Sequence, residues 1–390
     1  MKKTFLKVMC LAIVMVMALG CFVACGDNDE AYVIGASGPL TGGAAVYGQA
    51  VKNSAQMAVD EINAAGGLYG VQFKLEFLDD KHDATNISTN FASLMEKGMQ
   101  VSLGTVTTAP GLEFSKYAKD DNVFFITPSA SGDKIPEFAN GYQMCFADGN
   151  QGAVAAAYVN SLFPEGKTIG ILYNSADPYS SGIYTQFKAA LNANITTVDA
   201  AFTDDKTADF SGQITKLANC DFVFMPIYYT PASTFMKQAK DTIPADAVYY
   251  GCDGLDGIDS AIEGFNINEI PQEISMLSHF NSKATEGMAK DYVDKYVAKY
   301  GSDTLNQFGA SAYDCVYAIY NAMKAAIDAG QAIPSDISAS DLCEILKAQF
   351  NGDFTYTGVT GTDISWQSNG YVQKGAVKYI VKAKNSANAQ

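Results

Sequence analysis

Five short turns hold the residues best suited to chemistry. GTVTTAPG (104–111) and TPSAS (127–131) are dense in hydroxyls, whereas DPYSSG (177–182), IYYTP (227–231) and CDG (252–254) bring tyrosines and a carboxylate. Hydroxyls and free backbone N–H groups can hold an anion, and a carboxylate closed away from water asks for a cation. Set face to face, the two groups of turns would suit a zwitterion with an apolar side chain. The same hydroxyls could instead cap helices, and the tyrosines could pack in a core.

Other chemistries find less support. The turn GPLTGG (38–43) lies between an apolar run and a helical pattern, where a phosphate loop could sit, but no Lys-Ser or Lys-Thr pair follows its last glycine and no G-x-G-x-x-G is present. Tyr47 stands at the start of the helix instead. His82 and His279 are isolated, there is no G-x-S-x-G elbow, and Cys145, Cys220, Cys252, Cys315 and Cys343 are widely spaced and odd in number. At least one thiol must be unpaired, and all five read as buried free thiols in apolar contexts. No metal site, cofactor or activated nucleophile is expected, so the protein does not read as an enzyme.

The turns punctuate a repeated unit. YVIGASG, FKLEFLDD, VSLG and VFFIT alternate with helical patterns, and the alternation restarts at KTIGILYN and continues through DFVFMP and AVYYG. Alternating strands and helices make parallel sheets covered on both faces, and 390 residues suit two such domains. Each quoted turn lies at the carboxyl end of a strand, where open parallel sheets bind ligands. A helical stretch from about 285 to 329 has no sheet of its own, and the end, GVTGTDISWQSNGYVQKGAVKYIVK, reads as a turn and a hairpin.

The N-terminus reads as a processing signal. Lys2, Lys3 and Lys7 precede a 17-residue apolar run that ends at Cys25 in FVACG, before the polar DNDE. This is a lipoprotein leader, residues 1–24, with Cys25 as the lipid-modified residue, Cys21 as a weaker candidate, and residues 25–31 as a tether. A plain signal anchor is the alternative, though the run is short for a membrane span. The leader holds three of the 26 basic residues and none of the 42 acidic ones, so its removal takes the formal charge from −16 to −19. Nucleic acid is thereby excluded as a partner. Every basic residue is lysine, so no guanidinium fork is available for a dicarboxylate, phosphate or sulfonate.

With GPLTGGAAVYGQ, AVDEINAAGG, LDDKHD, FFITPSAS, YYTPASTFMKQAK, GCDG and GVTGTDISW in place over residues 32–382, the chain resembles the type I periplasmic solute-binding proteins of ABC transporters, in particular the branched-chain amino acid group. The resemblance implies an α/β Venus-flytrap: two lobes, each a parallel sheet with helices on both faces, joined by three crossovers. The first lobe would take residues 32–147 and about 282–353, the second 148–281 and about 354–382. Thr108 matches the position that holds the ligand carboxylate. Ser129 and Ser131 match positions that share this task and take the ammonium, and Asp253 matches the acid that pairs with the ammonium. Tyr47, Tyr179 and Tyr228 or Tyr229 match pocket walls, and Phe280 the side-chain end.

His82 and the pair Thr107 and Thr108 depart from the usual pattern, and the threonine methyls would narrow the pocket. Leucine, isoleucine or valine is the first expectation, with an aromatic amino acid or a small amide as alternatives. Membrane permease subunits are the implied partners of a monomer held by its lipid, and a receptor-linked sensor is the competing role. In membrane fractionation, Cys25→Ser is expected to release the protein to the soluble fraction while Cys21→Ser leaves it membrane-bound.

Overall fold

The computed structural model describes residues 30–260, 262–375 and 377–383; the leader, Cys21 and Cys25 lie outside them. Strands β1 (Ala31–Gly38), β2 (Gln72–Asp79), β3 (Val101–Ser102), β4 (Phe125–Thr127) and β5 (Gly141–Gln143) form one sheet in the order β2-β1-β3-β4-β5. Every pairing in it is parallel. Helices α1 (Ala45–Ala64), α2 (Ile87–Glu96) and α3 (Thr108–Asp120) connect these strands. β4 is buried at all three positions, as a strand covered on both faces must be.

The chain then leaves for a second sheet through α4 (Asp148–Leu162). The sheet collects β6 (Lys167–Asn174), β7 (Ile195–Phe202), β8 (Phe222–Met225), β9 (Val248–Gly251) and β10 (Glu273–Ser278), with α5 (Pro178–Ala190), α6 (Ser211–Leu217) and α7 (Tyr229–Ala239) between. After β10 the chain returns to the first lobe as α8 (Gly287–Tyr300), α9 (Gln307–Asp328) and α10 (Ala339–Phe350). Tyr313 on α9 donates to Glu61 on α1 at 2.6 Å, Tyr292 on α8 meets Ser54 at 2.7 Å, and Asn122 beyond α3 reaches Ser340 at 2.9 Å.

The C-terminal stretch divides. β11 (Tyr356–Gly358), β12 (Gly361–Trp366) and β13 (Val372–Gln373) make a small antiparallel sheet of their own. β14 (Val377–Lys382) pairs antiparallel with β10 and so ends the second sheet, which runs β14-β10-β9-β8-β6-β7. That edge is an exception to the all-parallel expectation: β14 closes no β-α-β unit. The small sheet is bonded to the first lobe, so that of the stretch about 354–382 expected in the second lobe only β14 joins the second sheet: Trp366 Nε1 donates to the Gln143 carbonyl at 2.8 Å and Asp314 on α9 binds the small sheet directly. The chain thus passes between the lobes three times, after β5, after β10 and before β14.

Asp314 is a buried anchor at this junction. Its carboxylate accepts from the Tyr356 hydroxyl (2.9 Å), the N–H groups of Val359 and Thr360 (2.8 Å each) and the Thr360 hydroxyl (2.7 Å). Cys145, Cys220, Cys252, Cys315 and Cys343 are all free and buried. Among the described residues no helix is long and apolar enough to cross a membrane. Asp314→Ala strands four donors and is expected to cost about 3–5 kcal/mol, read as a fall of several degrees in melting temperature.

Candidate functional site

The carboxyl ends of both sheets face one another across a cleft, and the functional side chains come from the first turns beyond them. Tyr47 is in the first turn of α1. This turn needs Gly48, since a Cβ there would lie 2.0 Å from the Pro39 carbonyl oxygen. Thr107 precedes α3 and Thr108 opens it, while Ser129 and Ser131 follow β4. From the second lobe, Tyr179 opens α5, Tyr228 precedes α7, and Asp253 begins a single turn of 3-10 helix after β9.

Tyr47, Val106, Thr107, Thr108, Ser129, Ser131, Tyr179, Tyr228, Asp253, Gly254 and Phe308 line one cavity with about 210 Å³ of atom-free space. Among the described residues no lysine or histidine lines it. Its first-lobe wall is hydroxyl-rich: Thr108 Oγ1 lies 3.5 Å from Ser131 Oγ and accepts from the Ser131 N–H at 3.4 Å. On the opposite wall Tyr179 donates to Asp253 Oδ1 at 2.8 Å and accepts from the Gly254 N–H at 2.8 Å. That approach requires glycine at 254, where a Cβ would lie 2.6 Å from the Tyr179 oxygen. Gln151 Nε2 donates to Asp253 Oδ2 at 2.9 Å. Burial nevertheless pushes the Asp253 carboxyl up to about 6, against the donors that hold it down.

Aromatic rings make the rest of the wall. Tyr179 stacks on Tyr228 with centroids 4.8 Å apart, and Tyr47 meets Phe308 edge-on at 5.0 Å. Two expected site residues lie elsewhere. Tyr229 stands behind Tyr47, edge-on at 5.0 Å, and Phe280 packs against Tyr292 at 5.6 Å beside the second crossover. Phe308, Val106 and Gly254 line the cavity without having been singled out. Asn306 caps the Phe308 and Gly309 N–H groups, a helix-start signal readable in sequence, but nothing local aims Phe308 at the other lobe.

The lobes also bind each other directly. Tyr47 donates to the Gly254 carbonyl and Thr230 to the Gly43 carbonyl, each at 2.5 Å. Asp256 accepts from the Gln307 N–H at 2.9 Å, placing a second-lobe carboxylate at the N-terminus of first-lobe helix α9. His82 reaches Thr107 through Nδ1 (2.9 Å) and Asp205 of the second lobe through Nε2 (3.4 Å). Burial draws the His82 pKa down, but the Asp205 bond and the charges of Asp205, Asp177 and Asp80 outweigh it and raise it.

Two lobes built on mainly parallel sheets, joined by three passes and meeting at a small polar cavity, form the frame of a two-lobed solute-binding protein. A family model described as periplasmic binding protein matches residues 31–382. The chain belongs to that family. It is 34% identical over 229 residues to the Leu/Ile/Val-binding protein BraC3 of Rhizobium johnstonii, a match that spans 57% of this chain and 61% of the relative, less than two thirds of its length. It is 27% identical over 369 residues to the leucine-, isoleucine-, valine-, threonine- and alanine-binding protein of Pseudomonas aeruginosa, covering 89% and 90% of the two chains. Among solved structures it superimposes on LivJ of Streptococcus pneumoniae in complex with isoleucine, with TM-score 0.77, 25% identity and 90% and 96% coverage. LivK of Thermotoga maritima gives a TM-score of 0.76 at 22% identity, with 91% and 96% coverage. These relatives are binding proteins, LivJ that of a branched-chain amino acid transporter, and the chain is not an enzyme.

Burial raises Asp256 to about 7 and Asp253, Asp177 and Asp80 each to about 6. Acids whose folded pKa exceeds the unfolded value of about 3.9 stabilise the fold fully below that value, and this contribution is lost as pH rises through the folded pKa. The melting temperature of the ligand-free protein is therefore expected to fall from pH 5 to pH 8, and Asp256→Asn to flatten its upper part; a profile that rises across this range would contradict the assignment.

Proposed function

We propose that the protein binds an amino acid with a small apolar side chain, with leucine, isoleucine and valine first, and delivers it to the permease of an ABC importer. The observation that carries this reading is Asp253, a buried acid opposed across one cavity by a wall of hydroxyls, with no cationic side chain among the described residues that line it. An α-ammonium would meet Asp253. The α-carboxylate would meet Thr108, Ser129 and Ser131, and the side chain would lie among Val106, Tyr47, Tyr228 and Phe308. The ligand specificities named for the Rhizobium and Pseudomonas relatives, and isoleucine in the Streptococcus structure, support the choice. We also propose that Cys25 carries a lipid that keeps the monomeric protein on the outer side of the membrane, beside its permease.

A thermal-shift panel of amino acids, their amides, aromatic acids and sugars tests the ligand. At about one hundred times Kd a ligand adds roughly 2.7 kcal/mol, so leucine, isoleucine or valine should raise the melting temperature by degrees. Asp253→Ala is expected to weaken binding by about 2–5 kcal/mol. The ammonium needs an ionised Asp253, so affinity should fall as pH drops below about 6. A ligand without an ammonium group would show no such fall, and a shift confined to amides or sugars would overturn the amino-acid reading.

A further inference from the structure

We propose that Gln151 is a positioning residue for ligand recognition, which from the first turn of α4 fixes the carboxylate of Asp253 at the distance from the hydroxyl wall that the ligand must span. This rests on the reading of Asp253 as the partner of the ligand's ammonium group.

Gln151 does not line up with the cavity residues in sequence, and it reaches Asp253 from a different helix. It is 1% exposed. Both ends of its amide are used on the same residue: Nε2 donates to Asp253 Oδ2 at 2.9 Å, and Oε1 accepts from the Asp253 backbone N–H at 3.1 Å. This pattern fixes the amide orientation, because the flipped form would set oxygen against carboxylate and NH2 against N–H. Glutamate would oppose two carboxylates, and asparagine would fall one methylene short. With Tyr179 on Oδ1, two neutral donors from two helices pin both oxygens, and neither adds a positive charge that would compete with the ligand.

The helix that carries Gln151 is itself held on both sides. Gly152 lets α4 run against α5: a Cβ there would lie 2.7 Å from the Ile183 carbonyl oxygen, so the helices that supply Gln151 and Tyr179 are in fixed register. Three residues earlier, on the same face, the Asp148 N–H donates to the Ser131 carbonyl of the first lobe at 2.8 Å. One turn of α4, just beyond the first crossover, therefore touches both walls of the cavity. The spacing between the acid and the hydroxyls follows from that turn.

The titratable groups on which the Asp253 charge acts are Asp148, Tyr179, Tyr47, Cys145 and Cys252, none of them a base; buried Lys374 acts on Cys145 and donates to the Thr360 hydroxyl at 3.0 Å. Removing the Gln151 donor should then move the Asp253 titration upward. The test uses Gln151→Met, which fills similar space without the amide, with Gln151→Asn as the second variant should the first not fold. Carboxyl-carbon NMR titration of the ligand-free protein reads the Asp253 midpoint directly. Calorimetry with L-leucine and with 4-methylpentanoate, which lacks the ammonium, reads recognition. Expected results are an upward-shifted Asp253 midpoint and a loss of L-leucine affinity of roughly ten- to a hundredfold, with 4-methylpentanoate unchanged. An unmoved midpoint, or equal losses for both probes, would show a merely structural glutamine and overturn the proposal. If the midpoint moves but Asp253→Asn leaves L-leucine binding intact, the ammonium reading of the site fails, and the role in recognition fails with it.

Discussion

Asp253 is 3% exposed, and the cavity it faces is lined by hydroxyls, tyrosines, a phenylalanine, a valine and a glycine. A carboxylate in such a place loses its hydration and finds no counter-ion among the described residues lining the cavity, and the rise of its pKa to about 6 follows from that burial. The neighbouring design follows from it. Tyr179 and Gln151 occupy one oxygen each, Gly254 makes room for the tyrosine, and the stacked pair Tyr179 and Tyr228 forms a wall that cannot add charge. The walls supply shape and donors but little charge, and a cationic group on a small solute is the complement we propose.

Closure of the two lobes obeys the same constraint. Their direct contacts are mostly hydrogen bonds to backbone groups: Tyr47 on Gly254, Thr230 on Gly43, and Asp256 on the Gln307 N–H. Backbone partners fix a single geometry of approach without depending on any long side chain. Against them stands an acid-rich interface: Asp80, Asp177 and Asp205 gather around His82, which answers them, and Asp253 and Asp256 are buried acids of the same second-lobe face. Bringing the lobes together concentrates negative charge, and under the proposed function a ligand that neutralises part of it would favour the lobes together through its contacts with both walls.

The absence of arginine from the whole sequence belongs to this picture. Anions held by hydroxyls and N–H groups at helix starts bind through short, directional donors, which favours a small carboxylate over a phosphate or dicarboxylate. The narrowness of the cavity works in the same direction.

The sequence alone determined the repeating strand and helix units, the two α/β lobes, the five free thiols and the strand-end turns that carry Thr108, Ser129, Ser131, Tyr179, Tyr228 and Asp253. These are local or periodic signals: apolar runs, turn glycines and helix starts are written within a few residues of where they act. Tertiary structure alone decided that Phe308 faces the cavity while Tyr229 and Phe280 do not. It also decided that β14 runs antiparallel, and that Gln151 and Asp148 reach opposite walls from one helical turn. Asp253 and Gln151 are 102 residues apart and Tyr47 and Gly254 are 207 apart. Contacts at such separations depend on how two lobes, linked by three passes of the chain, are set against each other. No stretch of neighbouring residues encodes that arrangement; it emerges from the packing of both sheets together.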